Sequence, residues 1–139
     1  MNYSPILIVS GEPNSIFLEI YFKILKTNKI KSPLILISSE KLLNLQMKKL
    51  NYKIKIKKIS QNFVNKELKT NKLPVFDVNF NQKKPFEKIS VKSNKYIFKC
   101  FDKAAELTKN KKIIGFINCP VAKEFLFKKN YQGITEFIS

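Results

Sequence analysis

The chain has 139 residues, 27 of them basic against 10 acidic, for a net charge of +17. That length holds one ordinary domain, and a hydrophobic share of 44% supplies one buried core. With no His, no Arg and only 3 Gly, the composition excludes histidine triads and histidine metal sites, bidentate arginine readout of phosphate or guanine, and glycine-rich phosphate loops.

The charge itself is a weak pointer. Lys, Ile, Asn and Phe, all abundant here, have A/T-rich codons, so biased base composition explains the lysines without a polyanionic partner. A nucleic-acid footprint needs a clustered patch and aromatic or arginine readers, and nucleic acid is not the expected partner. No stretch approaches the roughly 20 apolar residues of a membrane helix. The N-terminus lacks a basic leader, and Ile6–Val9 is too short for a signal core. Two cysteines, Cys100 and Cys119, then read as reduced thiols of a cytoplasmic protein, Cys100 as a structural core residue.

In chain order, Ile6–Val9 is a continuous apolar run, predicted as a strand buried on both faces. A turn follows at Ser10-Gly11-Glu12-Pro13. Ser15 is expected to cap a helix to about Lys26, with Ile16, Ile20 and Ile24 as its buried face. Leu34–Ile37 is a second buried strand. Ser38 or Ser39 caps the next helix, whose apolar residues are Leu42, Leu43, Leu45 and Leu50. Tyr52–Lys58 alternates apolar and lysine, which predicts an edge strand with one wet face.

Residues 60–72 give no clear pattern, and Pro74–Val78 is a short strand or extended loop. Asn79–Lys92 reads as a loop. Ser93 is expected to cap a helix over Asn94–Asn110, with Ile97, Cys100, Phe101, Ala104 and Ala105 inward. Ile113–Ile117 is another buried strand, and Val121–Lys129 a helix. The alternation predicts an α/β fold of three layers, helices on both faces of a largely parallel sheet, as one domain over residues 1–139. Ligands of such sheets sit beyond the carboxyl ends of the strands. Gly11-Glu12-Pro13 and Asn118-Cys119-Pro120 occupy that position.

Those two segments and the closing one carry a resemblance. Gly11, Pro13, Ile16 and Glu19 match a Gly-Asp-Pro-Ala-Gly-Ile-Gly-Pro-Glu run, with Glu12 replacing its Asp and Phe17 one of its glycines. Cys119-Pro120-Val121-Ala122-Lys123-Glu124 matches Gly-Pro-x-x-Lys-Glu. Asn130-Tyr131 and Gly133-Ile134-Thr135-Glu136-Phe137 match Gly-Tyr followed by Gly-His-Thr-Glu-Phe. The chain thus resembles the N-terminal part, roughly the first two-fifths, of 4-hydroxythreonine-4-phosphate dehydrogenase.

The resemblance implies the N-terminal part of an isocitrate/isopropylmalate dehydrogenase-like fold. It implies NAD-dependent oxidation, then decarboxylation, of a phosphorylated hydroxy amino acid in pyridoxal phosphate biosynthesis. It further implies a divalent metal held by three histidines, and homodimers. Thr135 is the substrate-binding residue carried over, while Ile134 stands where the family has a substrate-contacting His. Gly11, Glu12, Asn118 and Lys123 are further candidates. No catalytic residue and no metal ligand is assigned. The chain is expected to be an incomplete version of a longer two-domain enzyme, inactive alone and binding neither NAD nor metal unaided, with a complementing chain or a second copy as partner. The alternatives are a basic polyanion-binding module and an interaction remnant that oligomerises through exposed apolar surface.

Overall fold

The structure is a computed structural model, and it describes residues 3–27, 29–127 and 134–138. Five strands form one sheet: β1 (Ile6–Val9), β2 (Leu34–Ser38), β3 (Ile56–Lys58), β4 (Leu73–Asp77) and β5 (Gly115–Asn118). The order is β3-β4-β2-β1-β5, and every pairing is parallel. The helices are α1 (Phe17–Leu25), α2 (Glu40–Leu50), α3 (Asn65–Leu68), α4 (Asn94–Thr108), α5 (Lys123–Leu126) and α6 (Ile134–Ile138).

Period-two alternation divides the core. Leu7, Val9, Ile35 and Ile37 point to one face and pack with α4. Ile8, Leu36 and Val75 point to the other and pack with α1 and α2. The central strands β1 and β2 are therefore apolar on both faces over Ile6–Val9 and Leu34–Ile37, which is why these read as unbroken runs. The predicted three-layer α/β architecture is the observed one.

Helix ends follow local chemistry. Ser39 caps α2, its hydroxyl accepting the Leu42 N–H at 3.3 Å. At the other end Asn51 takes φ 58°, a left-handed conformation that Asn tolerates better than most residues. The amides of Asn51 and Tyr52 both reach the Met47 carbonyl. Ser15 does not open α1 as its N-cap, although its hydroxyl accepts the Phe17 N–H at 3.2 Å.

Several expectations are corrected. The buried side of α1 is Leu18, Tyr21 and Phe22, whereas Ile16, Ile20 and Ile24 are 69%, 44% and 41% exposed. Alternation over 52–58 persists as half-buried Tyr52, Ile54 and Ile56 against exposed Lys53 and Lys55. Only Ile56–Lys58 pairs, and it is indeed an edge. In α2, Gln46 and Met47 are buried while Leu45 and Leu50 are half-buried.

The unassigned stretch 60–72 contains α3. The buried face of α4 includes Tyr96 and Leu107, while Ala105 is exposed. The stretch expected to be a buried strand at 113–117 is instead the second edge. There Ile114 is 74% and Ile117 53% exposed, because among the described residues only β1 pairs with β5. The helix expected over 121–129 is the short α5, and residues 128–133 of the closing motif lie outside the described residues.

Candidate functional site

In a parallel sheet all strands end on one side, and their loops cluster there. The turn after β1 and the segment after β5 meet at that end. Cys119 N–H donates to the Val9 carbonyl at 3.0 Å, and Glu12 N–H donates to the Pro120 carbonyl at 3.0 Å. Between them Gly11 has φ +68°. A Cβ at that position would lie 2.5 Å from the Pro120 carbonyl oxygen and 2.8 Å from that of Cys119. Backbone conformation and close approach both require glycine there. Two segments more than a hundred residues apart are thereby zipped together.

Glu12 is only 4% exposed. Its Oε1 accepts the Asn14 N–H at 3.1 Å and the Ser93 hydroxyl at 3.3 Å. These hydrogen bonds favour the carboxylate, but burial dominates and raises the carboxyl above its ordinary value. Ser93 was expected to cap α4, but its hydroxyl is spent on Glu12 and makes no cap bond. Glu12 therefore sits between the starts of α1 and α4.

The loop after β4 closes over this turn. Asn14 Oδ1 accepts from Gln82 Nε2 at 2.8 Å and from the Glu87 N–H at 2.9 Å. Gln46, fully buried, donates to the carbonyls of Pro13 and Pro85 at 2.8 and 2.9 Å.

A hydroxyl cluster at the ends of β1 and β2 escaped the sequence reading. The Tyr96 hydroxyl lies 3.2 Å from Ser10 Oγ and 3.1 Å from Ser38 Oγ, and accepts the Ser39 N–H at 3.2 Å. Helical spacing contained the signal, since Tyr96 is four residues before Cys100 and so shares its inward face. Burial holds the Tyr96 hydroxyl well above the usual tyrosine range, so it acts as a neutral hydrogen-bonding group.

Asn118, Lys123 and Thr135 are exposed, while Ile134 is 8% exposed and packs into the core on the α4 side. Cys119 is buried, and burial pushes its thiol to about 12. Cys100, also buried, is pushed to about 12, so neither is poised as a thiolate nucleophile. The structure brings Gly11, Glu12 and Cys119-Pro120 into one assembly. It leaves Lys123 and Thr135 on the surface.

The chain's residues do not fit the divalent metal that the resemblance implies. The sequence has no His, and among the described residues no three His, Cys, Asp or Glu side chains converge on one point. Among those residues no helix is long and apolar enough to cross a membrane.

Comparison with known proteins places this geometry. No curated protein matches the chain. The fold matches a 4-hydroxythreonine-4-phosphate dehydrogenase from Burkholderia phymatum with a TM-score of 0.84 at 20% identity, over 99% of this chain and 43% of that one. The enzyme of the same name from Klebsiella pneumoniae gives 0.78 at 18% identity, over 96% and 42%. The chain thus spans less than half the length of these neighbours. The family model described as pyridoxal phosphate biosynthetic protein PdxA matches residues 29–139. By that match, over most of its length, the chain belongs to the PdxA family.

Proposed function

We propose that this chain supplies the N-terminal part of a 4-hydroxythreonine-4-phosphate dehydrogenase and does not carry out the oxidation alone. One observation carries the reading. The Gly11–Pro120 crossing at the ligand-facing end of the sheet is fully formed, yet Ile134, at the place of a family histidine, is turned into the core. The scaffold of the site is built, and that polar group is replaced by an apolar one. An isoleucine side chain neither donates nor accepts a hydrogen bond. Asn118, Lys123 and Thr135 are the exposed candidates that would meet a phosphorylated substrate, Lys123 as a point charge. By the resemblance, the metal-binding histidines and most of the nicotinamide site lie in the part of the family's length that this chain does not span.

A complementing polypeptide bearing the histidines completes the site. The uncovered β5 edge of the sheet supports this. Ile117 sits beside Ile8 in register, on the face covered by α1, and is 53% exposed. The exposed Ile16, Ile20 and Ile24 run along α1. With +17 on each copy, self-repulsion opposes pairing of this face with itself, and an acidic partner fits better.

The test is NADH formation from 4-phosphohydroxy-threonine, NAD and a divalent metal. The purified chain alone should give none, and measurable turnover overturns the reading. Co-expression with the histidine-bearing segment of a family member should restore turnover, and Ile20→Glu should prevent that restoration.

A further inference from the structure

The opposite end of the sheet holds a second feature that the family reading leaves unused. A cavity of about 530 Å³ opens across the start of β2 and β4 and the segment leading into β3. Its volume lies within the range of small-molecule sites. The walls are mixed: Leu25, Leu34, Ile54, Leu68, Leu73 and Pro74 form an apolar part, and Ser32, Thr70 and Asn71 add neutral polar groups. Leu68 and Leu73 are buried, and Ile24 and Ile30 stand at the mouth, 41% and 42% exposed.

The polar part of the lining has one sign. Lys26, Lys53, Lys55 and Lys72 line the cavity, and no Asp or Glu does. Among the described residues none of the four joins an ion pair, whereas Lys23, Lys58 and Lys103 each do. Lys26 Nζ is held 4.5 Å above the Tyr52 ring centroid, a cation–π contact that places its charge at this end of the molecule. The C-terminal pole of α1 also faces this way, with about half a negative charge. Four ammonium groups outweigh it.

Scattered lysines on a basic protein usually mean a solvated surface. Here four of them, free of carboxylates, line a hollow of ligand size that has an apolar part. We infer that this cavity binds a small amphipathic anion, with an apolar body against Leu34, Ile54 and Leu73 and a phosphate or carboxylate head among Lys26, Lys53, Lys55 and Lys72. This site lies at the amino ends of the strands, away from Gly11 and Pro120. It stands or falls independently of the dehydrogenase reading.

Octyl phosphate below its micelle concentration is a suitable probe, with octanol and inorganic phosphate as its two halves. Octyl phosphate should saturate a single site, raise the unfolding midpoint by mass action, and shift backbone amide resonances at 24–27, 29–32, 34, 53–55 and 68–73. Octanol and phosphate should each bind at least about tenfold more weakly, since each keeps only one kind of contact. Lys53→Ala with Lys72→Ala should weaken octyl phosphate about tenfold. Lys95→Ala with Lys99→Ala, on α4 across the sheet, should leave it unchanged. Equal loss in both double variants means general attraction to a basic protein and overturns the inference. So does non-saturable binding, or resonance shifts centred elsewhere. These lysines are exposed, so both double variants should keep the parent's midpoint without ligand.

Discussion

Gly11→Ala tests the crossing at the ligand-facing end of the sheet. An L-residue held at φ +68° pays roughly 1–2 kcal/mol for its conformation alone. The new Cβ also lands 2.5 Å from a backbone carbonyl oxygen, which has no flexible end to swing away. The Pro120 carbonyl must move, and it is the acceptor of the Glu12 N–H. Losing that bond in a buried setting adds roughly 1–3 kcal/mol. The sum is about 3 kcal/mol, equivalent to a fall in Tm of about 10 °C for a chain of this size. Gly115 is the internal control. Nothing lies within 4 Å of a Cβ built there, and its φ is not positive. Gly115→Ala should stabilise by about 0.4–1 kcal/mol through the unfolded chain. Urea and thermal unfolding followed by far-UV circular dichroism measure both. A Gly11→Ala midpoint equal to the parent's, or a same-signed shift for the two glycines, refutes the argument.

Three further outcomes follow from the packing and the hydrogen bonds. Phe22→Ala empties a fully buried position and should cost about 3–5 kcal/mol, while Ile20→Ala on the exposed side should stay within about 0.5 kcal/mol. Comparable losses in urea titrations of the two would show that the inward face of α1 is misassigned. Tyr96→Phe removes the acceptor of the Ser39 N–H and should cost about 1–3 kcal/mol. An unchanged unfolding midpoint would count against the cluster. Glu12 is protonated in the folded state to higher pH than in the unfolded chain, because burial raises it above 4.5. Its contribution is complete below pH 4.5 and declines as pH rises through the raised value. Glu12→Gln should remove that decline, seen as a flatter urea midpoint against pH above 4.5, and a slope as steep as the parent's argues against it.

The central strands were legible in the sequence because burial on both faces leaves an unbroken apolar run at Ile6–Val9 and Leu34–Ile37. The same signature misled at Ile113–Ile117. A run of apolar residues does not say whether a neighbour covers it, and β5 is an edge. Helix α1 shows the parallel ambiguity. Its sequence is apolar nearly all round, so Ile16, Ile20 and Ile24 fit a helical face as well as Leu18, Tyr21 and Phe22 do. The larger aromatic side chains fill the sheet contact, and periodicity does not weigh volume.

At the site, Gly11 and Glu12 were found from their place after a strand. The pairing of Gly11 with Pro120 was visible only as two separate strand ends. Ser93 looked like a helix cap because that is what a serine before a helix usually does. Its hydroxyl is drawn instead to Glu12, 81 positions away, and nothing local signals a long-range partner.

The Tyr96 cluster has a property that its distances imply. A phenol oxygen carries one proton and two lone pairs. The Ser39 amide occupies one lone pair, so when both serines bond to the phenol, one hydroxyl gives its proton to Tyr96 and the other receives the phenol's, with the buried Cys100 thiol a further neighbour of the same oxygen. Two proton orderings satisfy the same heavy atoms, one polarised from β1 toward β2 and one reversed. The end of the sheet thus contains a small reversible dipole.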